Sequence, residues 1–217
     1  MLIPDEAVPF IRMHRTHLQG DLKTLYAADV ARDFEMLRPY LPERATDILD
    51  IGCGMAGIDA LLWRHYSNPT VHLLDGTGHT EVRIMFHPVM HPYNSMPIAR
   101  RLLENNGVPD DHIVEWPPDP RAAVPPCDLV ISLLSWGFHY PVGTYLPLVE
   151  RVLRPRGRLI LDVRKGQQGL EAFAPSFEAV AVLSSTFKAD RVCFTLRQQP
   201  VDAELGLQGA RAYLGSS

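Results

Sequence analysis

The sequence predicts an α/β protein: a doubly wound, mostly parallel sheet with an N-terminal helical extension and a C-terminal antiparallel hairpin. Three observations point there. Short apolar runs alternate with amphipathic stretches between about residues 45 and 165. A glycine-rich turn follows the first of those runs directly. Two strand-like runs, near 178–184 and 191–197, are separated by only a short polar segment. Strands that alternate with helices form a parallel sheet covered on both faces, with its ligand crevice at the carboxyl ends of the strands.

Each element has its own signal. Leu22, Tyr26, Val30, Phe34, Leu37 and Leu41 recur at steps of three or four, which predicts an amphipathic helix over 21–41 that Pro42 closes. A first strand follows at 46–51, then a glycine turn and a helix from Ile58 to about Tyr66. Residues 70–75 (TVHLLD) read as the second strand. A helix over 95–105 has Asn94 or Ser95 as its cap, Pro97 in its first turn and Gly107 just past its end. His112–Trp116 is a short third strand, and the proline-rich 116–127 is loop. Asp128–Leu134 is the fourth strand, Thr144–Leu153 a helix, Arg154–Gly157 a turn and Arg158–Val163 the fifth strand. The stretch from 199 lacks pattern and reads as a tail. The chain is expected to be one domain, with residues 1–44 as a helical cap and 45–198 as the core.

The segment Asp47-Ile-Leu-Asp-Ile-Gly-Cys-Gly-Met-Ala-Gly57 carries the most information. Gly52, Gly54 and Gly57 let the backbone approach a ligand, and the helix that follows offers free N–H groups there. Gly-x-Gly-x-x-Gly by itself is a dinucleotide fingerprint. Asp50 changes that reading, because a carboxylate suits a cation or an amino group and not a pyrophosphate. S-adenosylmethionine (SAM) offers a sulfonium and an α-amino group and carries no phosphate. The segment resembles motif I of the class I SAM-dependent methyltransferases.

Later landmarks extend the resemblance over roughly residues 45–165. It implies that SAM is the cofactor and S-adenosylhomocysteine the product. It implies that Asp50, Gly52, Cys53 and Gly54 hold the cofactor in the turn, and that Asp75, with Gly76, receives the ribose hydroxyls. A carboxylate can accept both hydrogen bonds of a vicinal diol. Glu115 and Trp116 fall where the family holds the adenine ring, though Glu115 also reads as a solvated edge residue. Cys127–Ser135, including Ser132, resembles motif IV, and Val152–Ile160 resembles the family's turn into strand five. Two positions depart from the pattern: Ala56 replaces a glycine of the usual Gly-x-Gly-x-Gly, and Arg156 replaces a glycine of the usual Pro-Gly-Gly turn.

Methyl transfer from a sulfonium mainly requires donor and acceptor to be held in line. A hydroxyl acceptor also benefits from a base. Ser135-Trp-Gly-Phe-His-Tyr-Pro141 follows strand four, where the family places groups near the methyl. His139 has a suitable pKa for a general base or orienting group; it also reads as a cap of the following helix or a support of the loop. Trp136 and Tyr140 are expected to shape the acceptor pocket, and Arg164 to contact the substrate from the end of strand five. The loop resembles those of some bacterial sugar O-methyltransferases, which makes a sugar-like or hydroxylated small molecule the expected acceptor. Gly76–Tyr93 is unusually long for a connection, so it is expected as a loop near the acceptor. Its histidines, His79, His87 and His91, do not form a metal motif, because Pro88 and Pro92 argue against a helix there. Arg12, His14, Arg15 and His17 form a basic cluster that reads as a solvated face or as a contact for an anionic acceptor.

Composition narrows the alternatives. A net charge of −4 offers no general attraction to nucleic acid. No apolar run approaches the roughly 20 residues that span a bilayer. Cys53, Cys127 and Cys193 are far apart and lie in or beside predicted strands, so they read as buried thiols in a cytoplasmic protein with no metal site. Two rivals remain: a nicotinamide-dependent oxidoreductase with the same glycine spacing, and a SAM-binding protein without catalysis.

Overall fold

Period-two alternation in the apolar runs sorts the core into two layers. In strand β1 (Asp47–Ile51), Ile48 enters one layer while Leu49 and Ile51 enter the other. Strands β2 (Thr70–Leu74), β3 (Gly78–Ile84), β4 (His87–Asn94), β5 (Ile113–Trp116) and β6 (Cys127–Ser132) follow, and in β6 Leu129 and Ile131 face opposite to Val130. Strands β7 (Leu153–Arg164), β8 (Phe177–Ser185) and β9 (Ala189–Leu196) complete the set among the described residues. This computed structural model describes residues 1–84, 87–166 and 169–197. The expected tail from 199 lies outside them.

Seven strands form one sheet in the order β5-β2-β1-β6-β7-β9-β8. β5, β2, β1, β6 and β7 are parallel, and β9 inserts antiparallel between β7 and β8. The helices are α1 (Val8–His14), α2 (Leu22–Leu37), α3 (Gly57–Tyr66), α4 (Met96–Asn105) and α5 (Leu146–Val152). Apolar residues of α1 to α4 build the first layer. Leu148, Val149 and Val152 of α5 join Trp136, Phe173 and Phe177 in the second. The doubly wound sheet with its closing hairpin is therefore as expected.

The differences have local causes. Within the stretch 76–93, expected as loop, β3 and β4 pair as a separate two-stranded antiparallel sheet in which Arg83 pairs with Pro88 and His79 with Pro92. Two prolines in one strand, and no Asn-Gly or Asp-Gly turn, hide such a hairpin in sequence. α1 was not foreseen within the helical extension, and it packs against β4. The turn at 154–157 sits inside β7: Cys127 pairs with Leu153 but Leu129 with Arg158, so the segment between them bulges.

Both departures from the glycine pattern now have a structural cost. Ala56 has φ 54° and Arg156 has φ 69°, the left-handed conformation that glycine adopts freely. Each side chain there costs about 1–2 kcal/mol. The sheet's amino end is tied by Asp128, whose Oδ2 accepts from the Thr46 N–H (2.8 Å) and from Arg154 Nη1 (2.7 Å). Asp128 is thus structural.

Candidate active site

At the carboxyl ends of β1, β2 and β6 three segments converge: the turn 52–57, Asp75 with Gly76, and the loop Ser135–Tyr140. Left-handed φ values at Gly52 (76°) and Gly54 (55°) fold the turn back on itself. The Gly52 N–H donates to Leu74 O (2.7 Å), which joins the turn to β2. Asp75 holds the other side: its Oδ2 accepts from the Gly54 N–H (2.9 Å) and its Oδ1 from the Gly76 N–H (2.7 Å). Burial raises the Asp75 pKa, and the two N–H donors and nearby His14 oppose that rise.

Two cavities flank Gly52. The larger, about 310 Å³, is lined by Gly52, Asp75, Pro118, Ser135, Tyr140 and Tyr145, among others. The smaller, about 50 Å³, lies between the turn and the N-terminal helices, and its walls include Arg15, Tyr26, Asp50, Gly52, Cys53 and Gly57. Asp50 is 3% exposed, and its Oδ1 has no hydrogen-bond partner. Asp59, in the first turn of α3, is fully buried with neither oxygen partnered. Burial first, and then the charge of Asp59, pushes Asp50 well up; burial brings Asp59 to about 7, against a hydrogen bond with Asp50 that lowers it. An acid-lined recess at a helix N-terminus suits an ammonium and repels a phosphate.

The loop after β6 is held from beneath. Ser132 Oγ donates to Ile51 O (2.7 Å) and accepts from the Trp136 N–H (2.9 Å). The Leu134 N–H donates to Asp162 Oδ2 (2.9 Å), and Ser135 O accepts from the His139 N–H (2.7 Å). Arg164 stacks on the Phe138 ring at 5.3 Å. Burial, then Arg164 and His14, lower the His139 pKa, which favours the neutral imidazole.

No family model matches the sequence, and no curated protein matches it either. Solved structures do match. The PH0226 protein of Pyrococcus horikoshii OT3 superposes with a TM-score of 0.56 at 16% identity, over 77% of this chain and 91% of that one. The M1A22 tRNA methyltransferase TrmK of B. subtilis gives 0.53 at 14%, over 76% and 65%. A methyltransferase from Pyrococcus furiosus gives 0.51 at 16%, over 76% and 82%.

The fold is that of the class I methyltransferases.

Within this methyltransferase fold the expected site residues separate into groups. Asp50, Gly52 and Cys53 meet at the smaller cavity; Asp75 and Tyr140 meet at the larger, and Gly54 and Gly76 are tied to Asp75. His139, next to Tyr140 in the chain, and Arg164, on the Phe138 ring, are not among the residues that line either cavity. Four residues are placed elsewhere. Trp136 is fully buried, donates through Nε1 to Val142 O (2.8 Å) and packs on Phe173, so it supports the loop from within the core and has no surface for a substrate. Ser132 is also fully buried, with its hydroxyl spent on the two bonds above. Glu115 accepts from Arg100 Nε (2.7 Å) on α4, which matches its edge-residue reading. Trp116 donates through Nε1 to His72 Nδ1 (3.2 Å).

The basic cluster is likewise divided, since Arg15 pairs with Asp29 (3.3 Å) and Asp33 (3.6 Å) and His17 faces Asp29. The side chains of His79, His87 and His91 lie outside the described part of the structure. Among the described residues no group of three or more His, Cys, Asp or Glu stands together as a metal site, and no helix is long and apolar enough to cross a membrane.

Sequence reading missed Asp59, Tyr26, Pro118, Pro120, Thr144 and Tyr145. An acid seven residues after Gly52 had a signal, because it falls in the first helical turn on the same side as the loop. The prolines had none, since only tertiary structure brings 118 and 120 over Asp75.

Proposed function

We propose that the protein transfers a methyl group from SAM to a small-molecule acceptor, most simply an oxygen of a sugar-like or hydroxylated metabolite. The observation that carries this reading is the orphaned Asp50 carboxyl oxygen, buried beside the glycine turn. Such a group calls for a cationic ligand, and Asp59 deepens the negative field where a nicotinamide dinucleotide would place its pyrophosphate. Asp50 and the turn would hold the amino-acid end of the cofactor and Asp75 its ribose.

SAM supplies, when bound, a methyl group on an already activated sulfonium. The protein's part is to align the acceptor and to exclude water. Tyr140 and Tyr145 wall the larger cavity with rings and hydroxyls that suit a small polar acceptor. His139, held neutral beside that wall, is placed to take a proton from an acceptor hydroxyl once the acceptor is seated. The modest cavity and the absence of general positive charge favour a small molecule over nucleic acid.

Calorimetric titration with S-adenosylhomocysteine, run beside NAD at equal concentrations, tests the reading. Micromolar binding of the former alone is expected; binding of NAD alone discards it. Asp75→Ala is expected to weaken S-adenosylhomocysteine about 10–100-fold, the value of charged hydrogen bonds; unaltered affinity would remove Asp75 from the ribose site. His139→Ala should leave that affinity intact and lower kcat about 100-fold or more, with the loss shrinking as pH falls below the imidazole's titration, where the wild-type base is itself protonated. Unchanged turnover removes the base.

A further inference from the structure

Among the described residues Asp59 has no hydrogen-bond donor that would explain it. Its carboxyl is fully buried in the first turn of α3, and as an ionised group neither of its oxygens receives a hydrogen bond. Asp50 is its neighbour across the turn, also buried and with Oδ1 unpartnered, and it lines the smaller cavity. A single proton between the two carboxyls supplies the missing hydrogen bond, and two ionised carboxylates in one dry recess repel each other strongly. Both titrate upward, burial being the first cause.

Other charges close the recess without satisfying the pair. Just past β2, Asp75 adds negative charge toward Asp50. From the turn, Cys53 is held as a thiol by burial and by the three acids. From α2, burial keeps the Tyr26 phenol protonated, and its oxygen lies where a Cβ on Gly57 would be only 2.4 Å away. Arg15 reaches the cavity after α1 but is committed to Asp29 and Asp33 of α2, and His14 acts on Asp75.

We propose that Asp59 is a positioning residue of the cofactor site: in the ligand-free protein Asp50 and Asp59 hold one proton between them, and a ligand ammonium seated beside Asp50 displaces that proton to solvent. This rests on the reading of the recess as the SAM site. The balance is simple. The pair loses H⁺ and becomes more negative by one charge, the ammonium keeps its own protons and donates to Asp50, and the buffer takes up what is released. Binding is then coupled to pH: affinity rises with pH by up to about tenfold per unit below the pair's titration and levels off above it.

The test is calorimetric titration with S-adenosylhomocysteine at pH 7, repeated in buffers of different ionisation enthalpy to count protons. Wild-type protein is expected to release about half to one proton per ligand bound. Asp59→Asn, which keeps the shape of the protonated acid, is expected to bind ligand with no such release and with an affinity flat between about pH 6 and 8. Carboxyl-carbon NMR of the ligand-free wild type should show a carboxyl titrating near neutrality that Asp59→Asn lacks. Ligand binding without proton release in the wild type, a measurement that needs no variant to fold, overturns this proposal alone. Release that persists in Asp59→Asn also overturns it, by assigning the proton to another group. Failure of S-adenosylhomocysteine to bind at any pH overturns the SAM reading itself, and this proposal falls with it.

Discussion

Arg191→Met is expected to cost about 3–5 kcal/mol, the price of leaving buried carboxylates without their cation. Arg191 is 7% exposed and grips Asp162 with two bonds, Nε to Oδ1 (2.9 Å) and Nη2 to Oδ2 (3.0 Å). Its Nη1 donates to Asp33 Oδ1 on α2 (2.6 Å). Asp162 is itself 4% exposed and also accepts from the Leu134 N–H at the start of the site loop. One guanidinium therefore joins the hairpin, the central sheet, the N-terminal helices and the loop after β6. For a chain of this length the loss corresponds to a fall in Tm on the order of 10 °C. Arg191→Lys should recover only part of it, because an ammonium cannot form the two-pronged bond. The exposed pair of Arg121 and Asp119 provides the contrast: its removal should leave Tm unchanged. Thermal melts of the three variants decide the matter, and a wild-type Tm for Arg191→Met would mean that this buried network does not form.

Gly52→Ala is expected to be nearly as damaging and to strike the site directly. Gly52 has φ 76°, and an added Cβ would stand 1.8 Å from Ser135 Oγ and 2.4 Å from Ser135 Cβ. Left-handed strain of about 1–2 kcal/mol adds to overpacking of about 1–3 kcal/mol, since the loop that carries Ser135 is pinned at both ends. Gly52 is also a wall of both cavities, so S-adenosylhomocysteine affinity should fall about 100-fold or more. Gly54→Ala is the control: its φ is 55° but nothing lies within 4 Å of the added carbon, so only the backbone strain applies. Equal behaviour of the two variants would refute the close approach of Gly52 to the Ser135 loop.

These two residues also mark what was legible in the sequence. Gly52 was, because a glycine between an apolar strand and a helix reports a backbone constraint locally. Asp50 and Asp75 were legible for the same reason, since one lies next to the carboxyl end of its strand and the other just past it, at the crevice edge of the sheet. Arg191 and Asp162 were not, since nothing in either strand reveals that they meet. Trp136 misled because an aromatic in a crevice loop suggests a ligand, whereas its indole N–H is met by Val142 O and its ring by Phe173. Ala56 and Arg156 were visible only as departures from a glycine pattern. The structure shows that both keep the left-handed backbone which that pattern requires.

The position of β9 has a consequence for how the molecule is built. Asp33 and Arg191 are separated by 158 residues, and β7 gains its second neighbour only from β9. A growing chain that has not yet reached residue 189 already holds the glycine turn, Asp50 and Asp75, yet Asp162 lacks its cation and the Leu134 loop its anchor. Contacts this distant in sequence are closed last, after the largest loss of chain entropy. Ligand competence should therefore appear abruptly at the end of folding, and the earlier, locally complete half of the sheet should spend that interval with an apolar edge open to other chains.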